Sequence, residues 1–248
     1  MDLGFLLIAG AAVVFAGVSK AGFGSGAAFA AAAILALVVE PGLALGIMLP
    51  LLMLMDAATL RPYWKRWRRE DARLLIISGV PGVVLGALFY KVADADTLRL
   101  LIGAIAVLFV IYRIIGRSGR LPIAQRPMGA VGGAFFGVLT GFTSFISHAG
   151  GPAAAVYLLS QKPGKTEYQA TSVLVFWAIN IVKVVPYAFM GIFTLETLKV
   201  DLMLAPFALF GAWLGVKAHF LISERVFFGL TYVLLTATGC KLIWDGLT

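Results

Sequence analysis

Four polar residues stand inside otherwise apolar stretches. Lys20 lies in VSKAGFGSG, Asp56 in LLMLMDAATL, and Asn180 and Lys183 in FWAINIVKVV. Ionisable groups in such settings mark functional positions, because their burial has to be offset by a partner or a ligand. Two lysines suit an anion held by charge, with Asn180 supplying an amide. Asp56 reads either as an ion-pair partner of Lys183 or as the carrier of a coupling proton. Ser147-His148, in SFISHAGGP, adds a hydroxyl and an imidazole. Histidine is the side chain whose unperturbed pKa falls nearest neutrality, so His148 is a second proton-coupling candidate. No acidic residue stands beside Ser147-His148, so the expectation is a non-enzyme with no catalytic residues. Two histidines, His148 and His219, and a single cysteine, Cys240, make no disulfide and no metal cluster. No metal and no cofactor is expected.

Two glycine-rich breaks organise these residues. In the first, Lys20 is followed by Gly22, Gly24, Ser25 and Gly26, and an Ala-rich segment comes next. Glycines let a ligand approach the backbone closely. A helix beginning near Gly26, capped by Ser25, would present unpaired N–H groups and a positive dipole end, which attract an anion. In the second break, Ser147 and His148 lead through Gly150 and Gly151 into Pro152, a residue favoured at the first position of a helix. The bland alternative is close helix packing by small residues, and Ser147 alone could bond back to its own helix.

The elements that must position these groups are apolar helices. The chain of 248 residues is 61% hydrophobic and 13% charged, with mean hydropathy +0.97. Soluble domains are about 45–50% apolar and about 25% charged. Continuous apolar runs without alternation indicate an all-α polytopic membrane protein and argue against a β-barrel. The first run lacks a basic start and carries Asp2, unlike a cleaved signal. The net charge of +8 comes from residues between apolar runs, which fits the positive-inside pattern and not a nucleic-acid partner. The runs at 27–39 and 152–160 are too short to cross ~30 Å of hydrocarbon. Each, joined to the run before it, makes one broken span or a re-entrant hairpin.

The chain also reads as a duplication. At an offset of 124 to 126, Gly26 falls on Gly151 and Pro62-Tyr63 on Pro186-Tyr187. Pro81 with Gly86-Ala87 falls on Pro206 with Gly211-Ala212, and Arg99 with Gly103 on Arg225 with Gly229. Asp56 aligns with Asn180, and Thr59 with Lys183. The first transmembrane repeat is 1–115, the basic linker GRSGRLPIAQRP is 116–127, and the second repeat is 128–248. Each repeat has four to five helical segments and begins with its broken helix or hairpin. Loop RPYWKRWRREDAR (61–73) is cytoplasmic by its basic residues. Hairpins put Lys162, Lys165, Lys217 and Arg225 on that same side, which favours hairpins, three crossings per half and inverted repeats, a recurrent transporter plan. Trp64, Trp67, Tyr90 and Tyr112 read as interface anchors. The 61–73 loop reads as a topology determinant, with anionic lipid headgroups as its lesser alternative.

The segments GVSKAGFGSGAAF (Gly17–Phe29), GVPGVVLGALF (Gly79–Phe89), GVLTGFTSFISHAGGPAAAVYLL (Gly137–Leu159) and APFALFGAWLGVKA (Ala205–Ala218) give the chain a resemblance to the TauE/SafE family of sulfite exporters. This family is also called the 4-toluene sulfonate uptake permeases. Ser147-His148 stand where the family pattern is richer in glycine. The resemblance implies a transporter of sulfur-containing anions such as sulfite or sulfonates, in a bacterial inner membrane. The combined expectation is alternating access by a small oxyanion, with membrane lipid around it and a homodimer as a plausible assembly. A passive anion channel, a membrane-embedded enzyme, and a protein handling another anion or metabolite are the alternatives.

Overall fold

The computed structural model describes residues 3–23, 28–117, 127–221 and 224–248. All regular structure among them is helical: α1 (Leu3–Gly22), α2 (Phe29–Leu35), α3 (Pro41–Leu60), α4 (Arg69–Val92), α5 (Ala95–Arg117), α6 (Ala130–Ser147), α7 (Gly150–Ser160), α8 (Lys165–Phe189), α9 (Leu195–Leu221) and α10 (Glu224–Leu247). Several helices extend past their apolar runs because polar residues cap them. The Asp94 carboxylate accepts the Thr97 amide at 2.8 Å before α5, Thr194 and Thr197 bond reciprocally before α9, and Pro41 starts α3. The Ala-rich run 27–39 yields only the seven residues of α2, because the chain turns from Ala36.

Among the described residues, six helices are long and apolar enough to cross a membrane: Gly4–Gly22, Pro41–Leu60, Arg69–Val92, Ala130–Ser147, Lys165–Phe189 and Leu195–Ala218. The protein is a multi-pass helical membrane protein. At 1.5 Å per residue, α2 is about 10 Å long and α7 about 16 Å, so neither spans alone.

Small residues set which helices touch. Gly10 meets Phe207, Gly17 meets Gly211 and Ala212, and Gly22 meets the Gly215 carbonyl. The contact positions rise together, so α1 and α9 run parallel. A Cβ on Gly17 would stand 2.7 Å from the Gly211 backbone, so the interface admits no side chain there. The same close approach joins α4 and α6, where Gly79, Gly82 and Gly86 face Gly137, Val138 and Phe145. These two helices are also parallel. By contrast, Gly103 meets Gly239 while Leu100 meets Gly246, so α5 and α10 run antiparallel.

The core pair α3 and α8 is antiparallel too. Gly46 lies against Ile192, Asp56 against Asn180, and Tyr63 packs with Ala170 and Val173. Because α9 turns back from α8 and lies parallel to α1, α1 and α3 point the same way. The α2 segment must therefore carry the chain back to the side where α1 began. The same reasoning applied to α4, α6 and α8 makes α6 and α7 a hairpin.

Candidate functional site

The Lys20 ammonium lies 2.9 Å from one Asp56 oxygen, and both side chains are inaccessible to solvent. The other Asp56 oxygen accepts a hydrogen bond from the Asn180 amide at 3.0 Å. Both oxygens thus face donors, the pattern of an ionised carboxylate. The aspartate's partner is Lys20, not Lys183.

Lys183 has a different environment. Its Nζ donates to the Ser144 carbonyl at 2.8 Å and the Ser144 hydroxyl at 3.1 Å. It lies 2.8 Å from His148 Nδ1. Three acceptors around one Nζ match the three protons of an ammonium. His148 Nε2 lies 3.2 Å from the Leu45 carbonyl, which can only accept. The imidazole therefore carries its proton on Nε2 and accepts from Lys183 through Nδ1. Adding a proton to Nδ1 would set it against the ammonium. Lys183 is fully buried, and its hydrogen-bonding partners among the described residues are all neutral.

The backbone has been bent to bring His148 here. It ends α6 in the left-handed region, with φ 54°, where glycine or asparagine is usual. Such conformations in other residues persist where surroundings over-determine them, often at functional sites. Matched tyrosines fasten both breaks to the core helices. Tyr63 donates to the Ala21 carbonyl at 2.9 Å, and Tyr187 donates to the Phe145 carbonyl at 2.7 Å. Burial pushes the Tyr63 pKa up to about 12, so the hydroxyl keeps the proton it donates. Gln169 adds bonds to the Lys20 and Ala21 carbonyls.

Between the breaks lies a cavity lined by Lys20, Ala28, Leu52, Ser144, His148, Gly151, Phe176 and Asn180. Ala28 precedes α2, and Gly151 lies in the first turn of α7. Phe29 and Ala30 of α2 and Ala149 before α7 belong to one apolar cluster. The cavity volume is about 10 Å³, room for about one water molecule. A larger solute needs more room than this cavity offers.

Of the residues singled out by sequence, Lys20, His148, Gly151 and Asn180 line this cavity. Asp56 and Lys183 bind groups that line it. Gly150 sits at its edge, where a Cβ would press on Thr140, Ser144 and Phe176. Gly22 packs on α9 instead, and the Ser147 hydroxyl bonds back to the Thr143 carbonyl of its own helix. Gly24, Ser25 and Gly26 lie outside the described residues. Ser144, Gln169, Leu52 and Phe176 are additional. Ser144 had one signal, since it falls on Lys20 at the offset of 124.

Apolar helices long enough to span, around a small buried cavity lined by charged and polar groups, define a multi-pass membrane protein. The chain matches the Sulfite exporter TauE/SafE family over residues 9–242 and belongs to that family, a family of membrane sulfur-anion exporters. No curated protein and no solved structure matches the chain.

Proposed function

We propose that the protein carries a small sulfur oxyanion, a sulfite or a sulfonate, across a bacterial inner membrane by alternating access. One observation carries this reading. The site holds two buried ammonium groups and one carboxylate. Taking an ammonium out of water costs several kcal/mol, and the neutral acceptors around Lys183 offset only part of that. An anion in the adjoining cavity supplies the missing charge. Lys20 and Lys183 attract it, with Ser144, Asn180, His148 and the backbone at Gly150 and Gly151 as hydrogen-bonding groups. Asp56 is the proposed site of a coupling proton, since His148 Nδ1 is occupied by Lys183.

The alternating motion rests on two inverted repeats. Several pairs separated by 124 residues support this. Tyr63 and Tyr187 bond to Ala21 and Phe145, and Asp56 meets Asn180. The cavity wall pairs Lys20 with Ser144 and Leu52 with Phe176. The packing of α1 on α9 and of α4 on α6 supports the same plan. The water-sized cavity fits a closed carrier state better than an open pore.

Flux of radiolabelled sulfite, sulfonate or thiosulfate into proteoliposomes, with and without a pH gradient, tests the reading. Saturable uptake at carrier rates is the expected outcome. Conductance at channel rates would replace it with a passive pore, and conversion of the anion without movement would make the protein an enzyme.

A further inference from the structure

We infer that Asp56 is a built-in counter-anion that sets the site to accept a monovalent oxyanion and to reject a divalent one. This inference rests on the anion site proposed above and specifies the charge of its guest. The donor and acceptor pattern assigns the charges. Asp56 forms an ion pair with Lys20 through one oxygen and accepts from Asn180 on the other, the pattern of an ionised carboxylate. Lys183 Nζ meets three groups able to accept, the number an ammonium satisfies, and is taken as charged. His148 accepts at Nδ1 and donates at Nε2 to Leu45, so it is neutral. Among the described residues, one positive charge is left without a carboxylate partner. A guest with one negative charge neutralises the site. A guest with two leaves a buried net negative charge beside Asp56, and desolvation makes that unfavourable.

The arrangement of the lysines bears on this. At an offset of 124, Lys20 falls on Ser144 and Thr59 on Lys183. The lysine sits on the hairpin helix in one half and on the core helix in the other. Only the first half pairs its lysine with a carboxylate, because Asn180 stands where a second aspartate would be. A second aspartate would have cancelled the site's charge, and the asparagine leaves it at one.

The test measures binding of methanesulfonate, a fixed monoanion, and of sulfate, a dianion at neutral pH. Isothermal titration uses the purified full chain in detergent. The wild type is expected to bind methanesulfonate at least tenfold more tightly than sulfate. Asp56→Asn keeps the side-chain shape and raises the site charge by one. The affinity ratio is expected to shift at least tenfold toward sulfate. Adding Lys20→Met to Asp56→Asn returns the charge to one and is expected to restore the preference for methanesulfonate. Saturable sulfate binding by Asp56→Asn shows that this variant is folded, and the rescue shows that charge is what moved the ratio. Tighter sulfate binding by the wild type, or a ratio that Asp56→Asn leaves in place, overturns the counter-anion role while the anion site stands. If neither ion binds the wild type, the anion site and this inference fall together.

Discussion

Replacing Lys183 with methionine tests the central charge. Methionine is unbranched and apolar, so it can occupy the same space without the ammonium. The ammonium is 3.1 Å from the Ser144 hydroxyl and 2.8 Å from His148 Nδ1, and both residues line the cavity. An anion seated beyond them lies about 6 Å from the charge, which at an effective dielectric constant of about 20 corresponds to roughly 3 kcal/mol. That is about a hundredfold in dissociation constant. The folded protein is at the same time spared a buried charge with neutral partners, so thermal stability without ligand is expected to hold or rise. Titration of methanesulfonate into the detergent-solubilised variant measures the first effect, and a melting curve the second. An affinity within threefold of wild type, in a variant that still melts cooperatively, would refute the assignment of Lys183 as the uncompensated charge.

Three further outcomes are expected. Gly17→Val places side-chain carbons where a Cβ alone would already stand 2.7 Å from the Gly211 backbone; a loss of about 1–3 kcal/mol should appear as a lower melting temperature, and an unchanged one would deny the close packing of α1 on α9. Hydrogen bonds from the Thr97 hydroxyl and amide hold the Asp94 carboxyl below its ordinary value of 3.8, so its cap stabilises the protein above that pH and is lost as pH falls through the folded value; the melting-temperature gap between wild type and Asp94→Ala should therefore narrow in acid. In a Cys240→Ser background, single cysteines at residues 40 and 163 should label from opposite faces, residue 40 outside and residue 163 inside; the reverse assignment would indicate eight spans in place of two hairpins.

The ends of α1 at Gly22 and of α6 at Ser147 were legible because Gly and Ser runs inside apolar sequence leave few other readings. The existence of each long spanning helix was legible from hydropathy. Its neighbours were not. Whether Asp56 faces Lys20 or Lys183 depends on how α1 is rotated against α3, and glycines 10, 17 and 22 fix that rotation through contacts with α9. Ser144 looked like a small helix residue, since its value lies in a lysine 39 positions away. The short α2 escaped the pattern because alanine reads as helix even where the chain turns, as it does after Leu35.

The pairing of α1 with α9, and of α6 with α4, has a consequence for biogenesis. The earliest helix to leave the ribosome lies against one of the last. Until α9 is made, the glycine groove of α1 must be covered by lipid or by the insertion machinery. A chain truncated after α5 would expose that groove permanently, so it should be a target for membrane quality control and not an independent unit.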